Sequence, residues 1–170
     1  MVGMKVKKEL VIRQMEPRDF VEVAELEKSV WTAAETPAVI QSSAEKYIET
    51  IQAGVRYLLA VEATSDEIYG VLILYDRHRN LEAGKYVLTF SVMVVPSARR
   101  MGIGTFLLDF LFDYAREEGY KKISMDALST DLAAQKLYER AGFVLEGQQH
   151  REFLINGAWV DNLLYGYFID

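Results

Sequence analysis

Apolar residues recur along the chain with two periods, and these periods predict an alternation of strands and helices. Short apolar runs are typical of strands, whereas apolar residues three or four positions apart are typical of helices. The helical pattern is clearest over 103–118, where Ile103, Leu107 and Tyr114 share one face and Gly119 ends the helix. Strands are predicted at 9–14, 56–62, 68–76, 85–95 and 121–128, and on both sides of Asn156 and Gly157.

Three further helices are predicted from their start and end signals. Asp19 begins a helix that runs through Val30. Ser42 or Ser43 begins a helix over 43–53, which Gly54 ends. Ser129 or Thr130 begins a helix that runs through Arg140. Loops are expected at 31–38 and 77–84. The predicted order is therefore β-α-α-β-β-β-α-β-α-β-β.

This order predicts an α/β (α+β) domain with a mixed sheet and helices on its faces. The strands 85–95 and 121–128 are joined by a helix, so they should be parallel neighbours with a right-handed crossover. The remaining strands can pair through hairpins, and Asn156-Gly157 suits a type I′ turn. With 170 residues and no linker, the whole chain, 1–170, is expected to be one domain.

Composition excludes several classes of site. The chain has no cysteine, so disulfides and thiolate metal sites are excluded, and His78 and His150 lie too far apart in sequence to suggest a metal. A reducing cytoplasm fits this composition. The net charge of −6 argues against a nucleic-acid partner. No apolar run reaches membrane-spanning length, so no membrane partner is expected.

The stretch RRMGIGT, residues 99–105, lies between a predicted strand and the clearest helix. It fits an ordinary tight turn with solvated arginines. It also fits a phosphate cradle, because glycines at 102 and 104 expose backbone N–H groups at a helix N-terminus. The nucleoside triphosphate motif GxxxxGK[ST] and the dinucleotide motif GxGxxG are both absent.

Two motifs together resemble the GCN5-related N-acetyltransferases. Arg99-x-x-Gly102-x-Gly104, after a strand ending at Pro96, is similar to the family's acetyl-coenzyme A signature. The block that runs from Asp131 to Phe143, with Leu-Tyr-Glu-Arg-Ala-Gly-Phe at its end, resembles the second conserved block. The resemblance runs nearly end to end. The C-terminal segment is similar to a branch that acetylates polyamines, amino acids or ribosomal-protein termini.

The resemblance implies a mixed, mostly antiparallel seven-stranded sheet and acetyl-CoA as the cofactor. It implies that backbone N–H groups from Arg100 to Thr105 bind the pyrophosphate. Backbone groups at the end of strand 85–95 would run beside the pantetheine arm, where the two parallel strands splay apart near Val95. The implied cofactor-binding residues are Met93, Val94, Val95, Arg99, Arg100, Met101, Gly102, Ile103, Gly104, Thr105, Asp131 and Tyr138.

The resemblance also assigns catalytic chemistry. Tyr138 stands at the family's general-acid position, and its alternative role is a core aromatic. Asp131 stands where the family more often has asparagine, so it either contacts the pantetheine or caps its helix. The stretch 88–91 carries no carboxylate to act as base. The candidate bases are Glu35, Glu82, Asp126, or a water chain with backbone carbonyls.

We therefore expect an N-acetyltransferase that acts on a primary amine of a small molecule. The alternatives are a protein N-terminal or lysine acetyltransferase and a non-catalytic CoA-binding domain. Glu45 and Glu49 either face solvent or help to wall the acceptor site. Trp31 and Trp159 either line that site or fill the core. A homodimer is expected through the apolar terminal strand GYFI, if that strand is an edge.

Overall fold

The computed structural model of the protein describes residues 8–38 and 42–170, which form four α-helices and a seven-stranded sheet. The strands are β1 (Leu10–Gln14), β2 (Arg56–Glu62), β3 (Ile68–Asp76), β4 (Val87–Val94), β5 (Lys122–Leu128), β6 (Val144–Ile155) and β7 (Ala158–Phe168). The helices are α1 (Phe20–Val30), α2 (Ala44–Gln52), α3 (Ile103–Glu117) and α4 (Leu132–Arg140). The element order is the predicted one.

The strands lie in the order β1-β2-β3-β4-β5-β7-β6. β4 and β5 are parallel, and the other neighbouring pairs in this sheet are antiparallel. The predicted mixed, mostly antiparallel sheet is thereby confirmed. The prediction that GYFI is an edge strand is wrong, because β7 lies between β5 and β6. Gly166 is paired with both neighbours, and Tyr167 and Phe168 are paired with β5.

The helices cover both faces of the sheet, as predicted. Side chains of successive strand residues point to opposite faces, so β2 contributes alternately to two cores. Leu58 and Ala60 pack with α3 and α4, whereas Leu59 and Val61 pack with α1 and α2. The two cores hold the helices against a common sheet.

The parallel strands β4 and β5 are paired only at their beginnings. The pairing covers Val87–Thr89 of β4 and Lys122–Ser124 of β5, although both strands continue beyond these residues. The predicted splay is present, and it begins well before Val95. The next residue of β4, Phe90, packs edge-on against Tyr138 of α4, with ring centroids 5.6 Å apart. An α4 side chain therefore lies at the base of the opening.

Three caps were predicted for α4, and the structure shows Asp131 in this place. Its carboxylate accepts a hydrogen bond from the backbone N–H of Ala134 at 3.0 Å. The predictions of Ser129 and Thr130 are wrong: the Ser129 hydroxyl accepts from the backbone N–H of Asp161 at 3.2 Å, and the Thr130 hydroxyl donates to the Ala34 carbonyl at 2.9 Å. Both contacts are long-range in sequence, so local capping rules could not anticipate them. In α2, Ser43 is the cap, as one of the two predicted alternatives.

A buried ion pair holds α1 in place. The Arg13 guanidinium of β1 donates to both carboxylate oxygens of Asp19 at 2.7 and 2.9 Å, and also to Asp66 in the β2–β3 turn. Asp19 accepts a further hydrogen bond from the backbone N–H of Glu16 at 2.8 Å. The hydrogen bonds from Arg13 hold the pKa of Asp19 below its ordinary value. Asp19 thus orients the first turn of α1 rather than capping it.

We expect Asp19→Asn to lower the free energy of unfolding by about 2 kcal/mol at pH 7, because it breaks a largely buried pair and leaves Arg13 with Asp66 alone. A lowered folded-state pKa stabilises the protein above the unfolded pKa, and this contribution disappears as pH falls. The difference between wild type and variant should therefore shrink below about pH 4. Urea denaturation monitored by circular dichroism between pH 3 and 7 measures it.

The matched control is Asp113→Asn, which removes an exposed pair with Arg116 at 3.0 Å. Its effect should stay within about 0.5 kcal/mol at every pH. Equal losses in the two variants, or a loss at Asp19 that does not depend on pH, would contradict the role of the Arg13–Asp19 pair.

Candidate active site

A turn between β4 and α3 carries the arginines and glycines of RRMGIGT. Its backbone is left-handed at Arg100 (φ 64°) and at Gly102 (φ 79°), and α3 begins at the next residue, Ile103. The Gly102 carbonyl accepts the first hydrogen bond of the helix, from Phe106 at 2.9 Å. The N–H groups of the first turn therefore have no partner within the helix and are available to an anion.

The two glycines serve different purposes. A Cβ at Gly102 would meet nothing within 4 Å, so its requirement is the left-handed backbone. A Cβ at Gly104 would lie 3.4 Å from Leu137 of α4 and 3.9 Å from Val94 of β4. These are ordinary van der Waals distances, so the start of α3 lies close to both neighbouring elements and position 104 has room for a small side chain.

A cleft of about 480 Å³ begins at this turn and follows the end of β4 towards α4. We call it the donor cleft. The predicted residues that line it are Met93, Val94, Arg99, Arg100, Gly102, Ile103, Gly104, Thr105, Asp131 and Tyr138. Two predicted residues do not line it: Val95 and Met101, the latter with 56% of its side chain exposed.

The hydrogen bonds of β4 show which of its backbone groups face the donor cleft. Val95 donates to the Tyr69 carbonyl at 2.9 Å, and the Val87 carbonyl accepts from Arg77 at 3.1 Å, so both residues bond towards β3. Bonded residues alternate in an antiparallel pair, so Met93 also bonds towards β3. Val92 and Val94 therefore face the opening. Of the three residues predicted for the main-chain contacts, the backbone groups of Val94 face the opening, whereas those of Met93 and Val95 bond towards β3.

A second cleft, of about 410 Å³, lies on the β5 side of the opening. We call it the acceptor cleft. Its walls come from α1, the 31–37 loop, the ends of β3 and β5, and the β6–β7 hairpin. The two clefts share Trp31, Glu35, Asp131, Ala134 and Tyr138, so they meet at the beginning of α4.

Tyr138 lies at this meeting point and is 5% exposed. Its ring packs edge-on against Phe90 and Phe143, which fixes its orientation. Among the described residues, its hydroxyl has no hydrogen-bond partner, and it is not one of the fully buried unpartnered atoms, so it is accessible from the clefts. Burial, followed by the charge of Asp131, raises the pKa of Tyr138 above its ordinary value. The phenol therefore stays protonated at neutral pH and can donate a hydrogen bond into the site.

The candidate bases occupy different places. Glu35 lines both clefts, and its carboxylate accepts from the backbone N–H of Thr32 at 2.9 Å. Asp126 lines the acceptor cleft and pairs with Arg77 at 2.9 Å. Glu82 is corrected: its side chain is 85% exposed, it pairs with Lys85, and it lies in neither cleft.

Sequence reasoning missed Glu27, a buried carboxylate in the wall of the acceptor cleft. Its Oε2 accepts from the Tyr47 hydroxyl of α2 at 3.0 Å and from the Ser42 hydroxyl. Burial raises the pKa of Glu27. A signal was present in the sequence, because Glu27 occupies the apolar stripe of α1 that holds Phe20, Val23 and Val30.

Two locations were predicted for each of four further residues, Glu45, Glu49, Trp31 and Trp159. Glu45 and Glu49 are exposed on α2 and line neither cleft. Trp31 lines both clefts, whereas Trp159 is 58% exposed on β7.

Across residues 8–38 and 42–170, no group of three or more His, Asp and Glu side chains could hold a metal ion. None of the helices in these ranges is long and apolar enough to cross a membrane.

Residues 20–143 match the sequence profile of the acetyltransferase (GNAT) family. Among solved structures, smu.2055 of Streptococcus mutans UA159 is 28% identical, with a TM-score of 0.87, over 94% of this chain and 99% of that one. YncA of Salmonella typhimurium, solved with its cofactor acetyl-CoA, is 22% identical, with a TM-score of 0.80, over 95% and 94% of the two chains.

A phosphinothricin acetyltransferase of Sinorhizobium meliloti, solved in complex with acetyl-CoA, is 20% identical. Its TM-score is 0.83, over 94% of this chain and 88% of that one. At these identities the two acetyl-CoA-bound structures show that the fold is shared. No curated protein sequence matches the chain.

Asp131→Ala should remove the cap of α4 and lower the free energy of unfolding by about 1 kcal/mol. Asp131→Asn keeps an oxygen that can accept from the Ala134 N–H, so it should lose only a few tenths of that amount. Urea denaturation of both variants measures the effect. Equal destabilisation by Ala and Asn would show that the charge of Asp131, rather than its cap, matters for stability.

Proposed function

The chain belongs to the acetyltransferase (GNAT) family, and we propose that it transfers an acetyl group from acetyl-CoA to the primary amine of a small molecule. The family match confirms the resemblance drawn from the glycine turn and the block around Tyr138. The observation that carries the proposal is the meeting of two clefts at one buried phenol. Such a meeting point lets a donor and an acceptor approach each other from opposite sides.

The donor cleft fits acetyl-CoA, and two structural relatives hold this molecule. The pyrophosphate would take the free N–H groups at the start of α3, which the helix dipole makes favourable for an anion. Gly102 supports this placement, because the space beside its Cα is open. Arg99 and Arg100 add positive charge at the same rim. The pantetheine arm would lie along the unpaired edge of β4, with Val92 and Val94 as its backbone partners.

Acetyl-CoA supplies a thioester, whose acyl carbon is attacked by a neutral amine. Tyr138 would hold a proton beside the sulfur and donate a hydrogen bond as the C–S bond breaks. Its raised pKa suits this task, since the hydroxyl keeps its proton at neutral pH. The aromatic packing by Phe90 and Phe143 fixes the ring, so the donor needs no reorientation during the reaction.

The amine must lose a proton before or during its attack. Glu35 and Asp126 are the carboxylates of the predicted set that line the acceptor cleft, and we propose them as proton acceptors, directly or through water. Asp131 is engaged by the Ala134 N–H, and we propose that its remaining oxygen contacts the cofactor side of the opening. The proposed contact does not exclude the capping role.

The dimensions of the acceptor cleft support a small molecule over a protein substrate. Its volume of about 410 Å³ is typical of a small-molecule site, and its lining includes Pro37 of the loop and Phe153 of the hairpin. We propose that residues 1–170 act as one acetyltransferase domain. The cytoplasmic location and the homodimer remain predictions.

Gly102→Asp should weaken acetyl-CoA binding at least 100-fold, measured by isothermal titration calorimetry. A carboxylate at this position would repel the pyrophosphate and occupy the mouth of the cradle. The control is Gly119→Asp at the other end of α3, with φ +80° against +79° at Gly102 and nothing within 4 Å of its Cβ. This control carries the same backbone strain and should bind normally. Unchanged affinity in Gly102→Asp would refute the cradle.

Tyr138→Phe should lower kcat by about 100-fold or more, because the variant loses the proton donor at the sulfur. The dissociation constant of acetyl-CoA should not change, since the ring and its packing remain. Tyr165→Phe is the matched control: Tyr165 is 2% exposed, its hydroxyl lies 3.2 Å from Glu139, and it lines neither cleft. A Tyr138→Phe enzyme with wild-type turnover would make Tyr138 a purely structural residue.

A further inference from the structure

The charged side chains that line the acceptor cleft are all acidic. Its carboxylates are Glu27, Glu35, Asp126 and Asp131. Within the described part of the chain, no Lys, Arg or His side chain lines it. Among the described residues, one of these four carboxylates forms an ion pair: Asp126 pairs with Arg77. Arg77 itself does not line the cleft.

The other three carboxylates are held by neutral donors. Glu35 and Asp131 accept from backbone N–H groups, and Glu27 accepts from hydroxyls. Burial raises the pKa of Asp131, and the Ala134 N–H and the charge of Arg99 oppose this rise only in part. Arg99 lies in the donor cleft, where the phosphate groups of a bound cofactor would pair with it. Buried negative charge without a paired cation is costly, so a cationic ligand in this cleft would be strongly favoured.

We infer that the acceptor is an alkyl amine that carries a second, charged ammonium group and no carboxylate, and that Glu27 pairs with this second group while the other amine is acetylated. This inference rests on the proposed acetyltransferase function. It narrows the acceptor class, because an amino acid would bring its own carboxylate into a cleft that is already lined by four carboxylates and by no basic side chain.

The geometry of Glu27 supports this role. The hydroxyls of Tyr47 and Ser42 both donate to Oε2, which fixes the carboxylate, and among the described residues Oε1 has no partner. The side chain is 7% exposed and faces the acceptor cleft. A fixed carboxylate with one free oxygen is a preorganised acceptor for an ammonium group.

Two further features of the cleft fit an alkyl amine. Four aromatic rings line it, those of Trp31, Tyr75, Phe90 and Phe153. These rings can pack against methylene groups, and their faces can attract a cation. The hydroxyl of Tyr138, which has no hydrogen-bond partner among the described residues, belongs to a side chain that is 5% exposed and lines the same cleft. A ligand atom in the cleft can therefore accept a hydrogen bond from it.

The test compares cadaverine with lysine, which differ by one carboxylate, and with lysinamide, in which that carboxylate is neutral. Free thiol release is measured at saturating acetyl-CoA. We expect kcat/KM for cadaverine to exceed that for lysine at least tenfold, with lysinamide closer to cadaverine. Lysine acetylated as well as cadaverine overturns the inference and leaves the acetyltransferase function standing. Thiol release with none of a broad amine panel overturns both.

Glu27→Gln should raise KM for cadaverine at least tenfold with a much smaller change in kcat, because the amide NH₂ replaces the free carboxylate oxygen. Glu27→Asp, which keeps the charge, should recover part of the loss. Glu25→Gln, exposed on the same helix, is the control. Unchanged acetyl-CoA affinity shows that each variant is folded. A wild-type KM in Glu27→Gln overturns the role of Glu27, and the comparison of amines tests the acceptor class independently of any variant.

Discussion

The early end of the β4–β5 pairing is the constraint on which the site depends. Three residues of each strand pair, and the backbone groups of the following β4 residues then lack a neighbouring strand on that side. Backbone N–H and C=O groups need partners when they are removed from water. The opening therefore selects an extended ligand that can bond like a strand. It also places α4, which follows β5, opposite the end of β4, so Tyr138 and the unpaired edge of β4 line the same cleft.

The second face of the sheet supports the acceptor side in a comparable way. Arg13 connects β1, the start of α1 and the β2–β3 turn through charged hydrogen bonds. Because α1 is fixed at its first turn, Glu27 near its other end has a defined position against α2 and the sheet. The charge in the acceptor cleft is thus supported by packing and hydrogen bonding at a distance from the reacting groups, which is what a preorganised site requires.

The sequence was most informative where local chemistry decides the structure. The element order, the crossover around α3 and the glycine turn all follow from periodicity and backbone preference. Long-range contacts were not accessible in this way: Ser129, Thr130 and Asp131 were all predicted as caps of α4, and only the structure shows that Ser129 and Thr130 bond elsewhere. The choice between Met93 and Val92 depends on which edge of β4 meets β3, and a single sequence does not contain that information. Glu27 was visible as a carboxylate in an apolar stripe, but only the tertiary structure shows that the stripe borders a cleft.

The small size of residue 104 connects the glycine turn with α4. Leu137 and Val94 lie within van der Waals distance of a Cβ at Gly104, so the first turn of α3 packs directly against α4 and the end of β4. Leu137 precedes Tyr138 in α4, so one packed side chain lies between the turn proposed to receive the phosphates and the segment that holds the phenol. A long side chain at position 104 would have to displace Leu137, and the spacing between the proposed phosphate site and α4 therefore depends on the size of this residue.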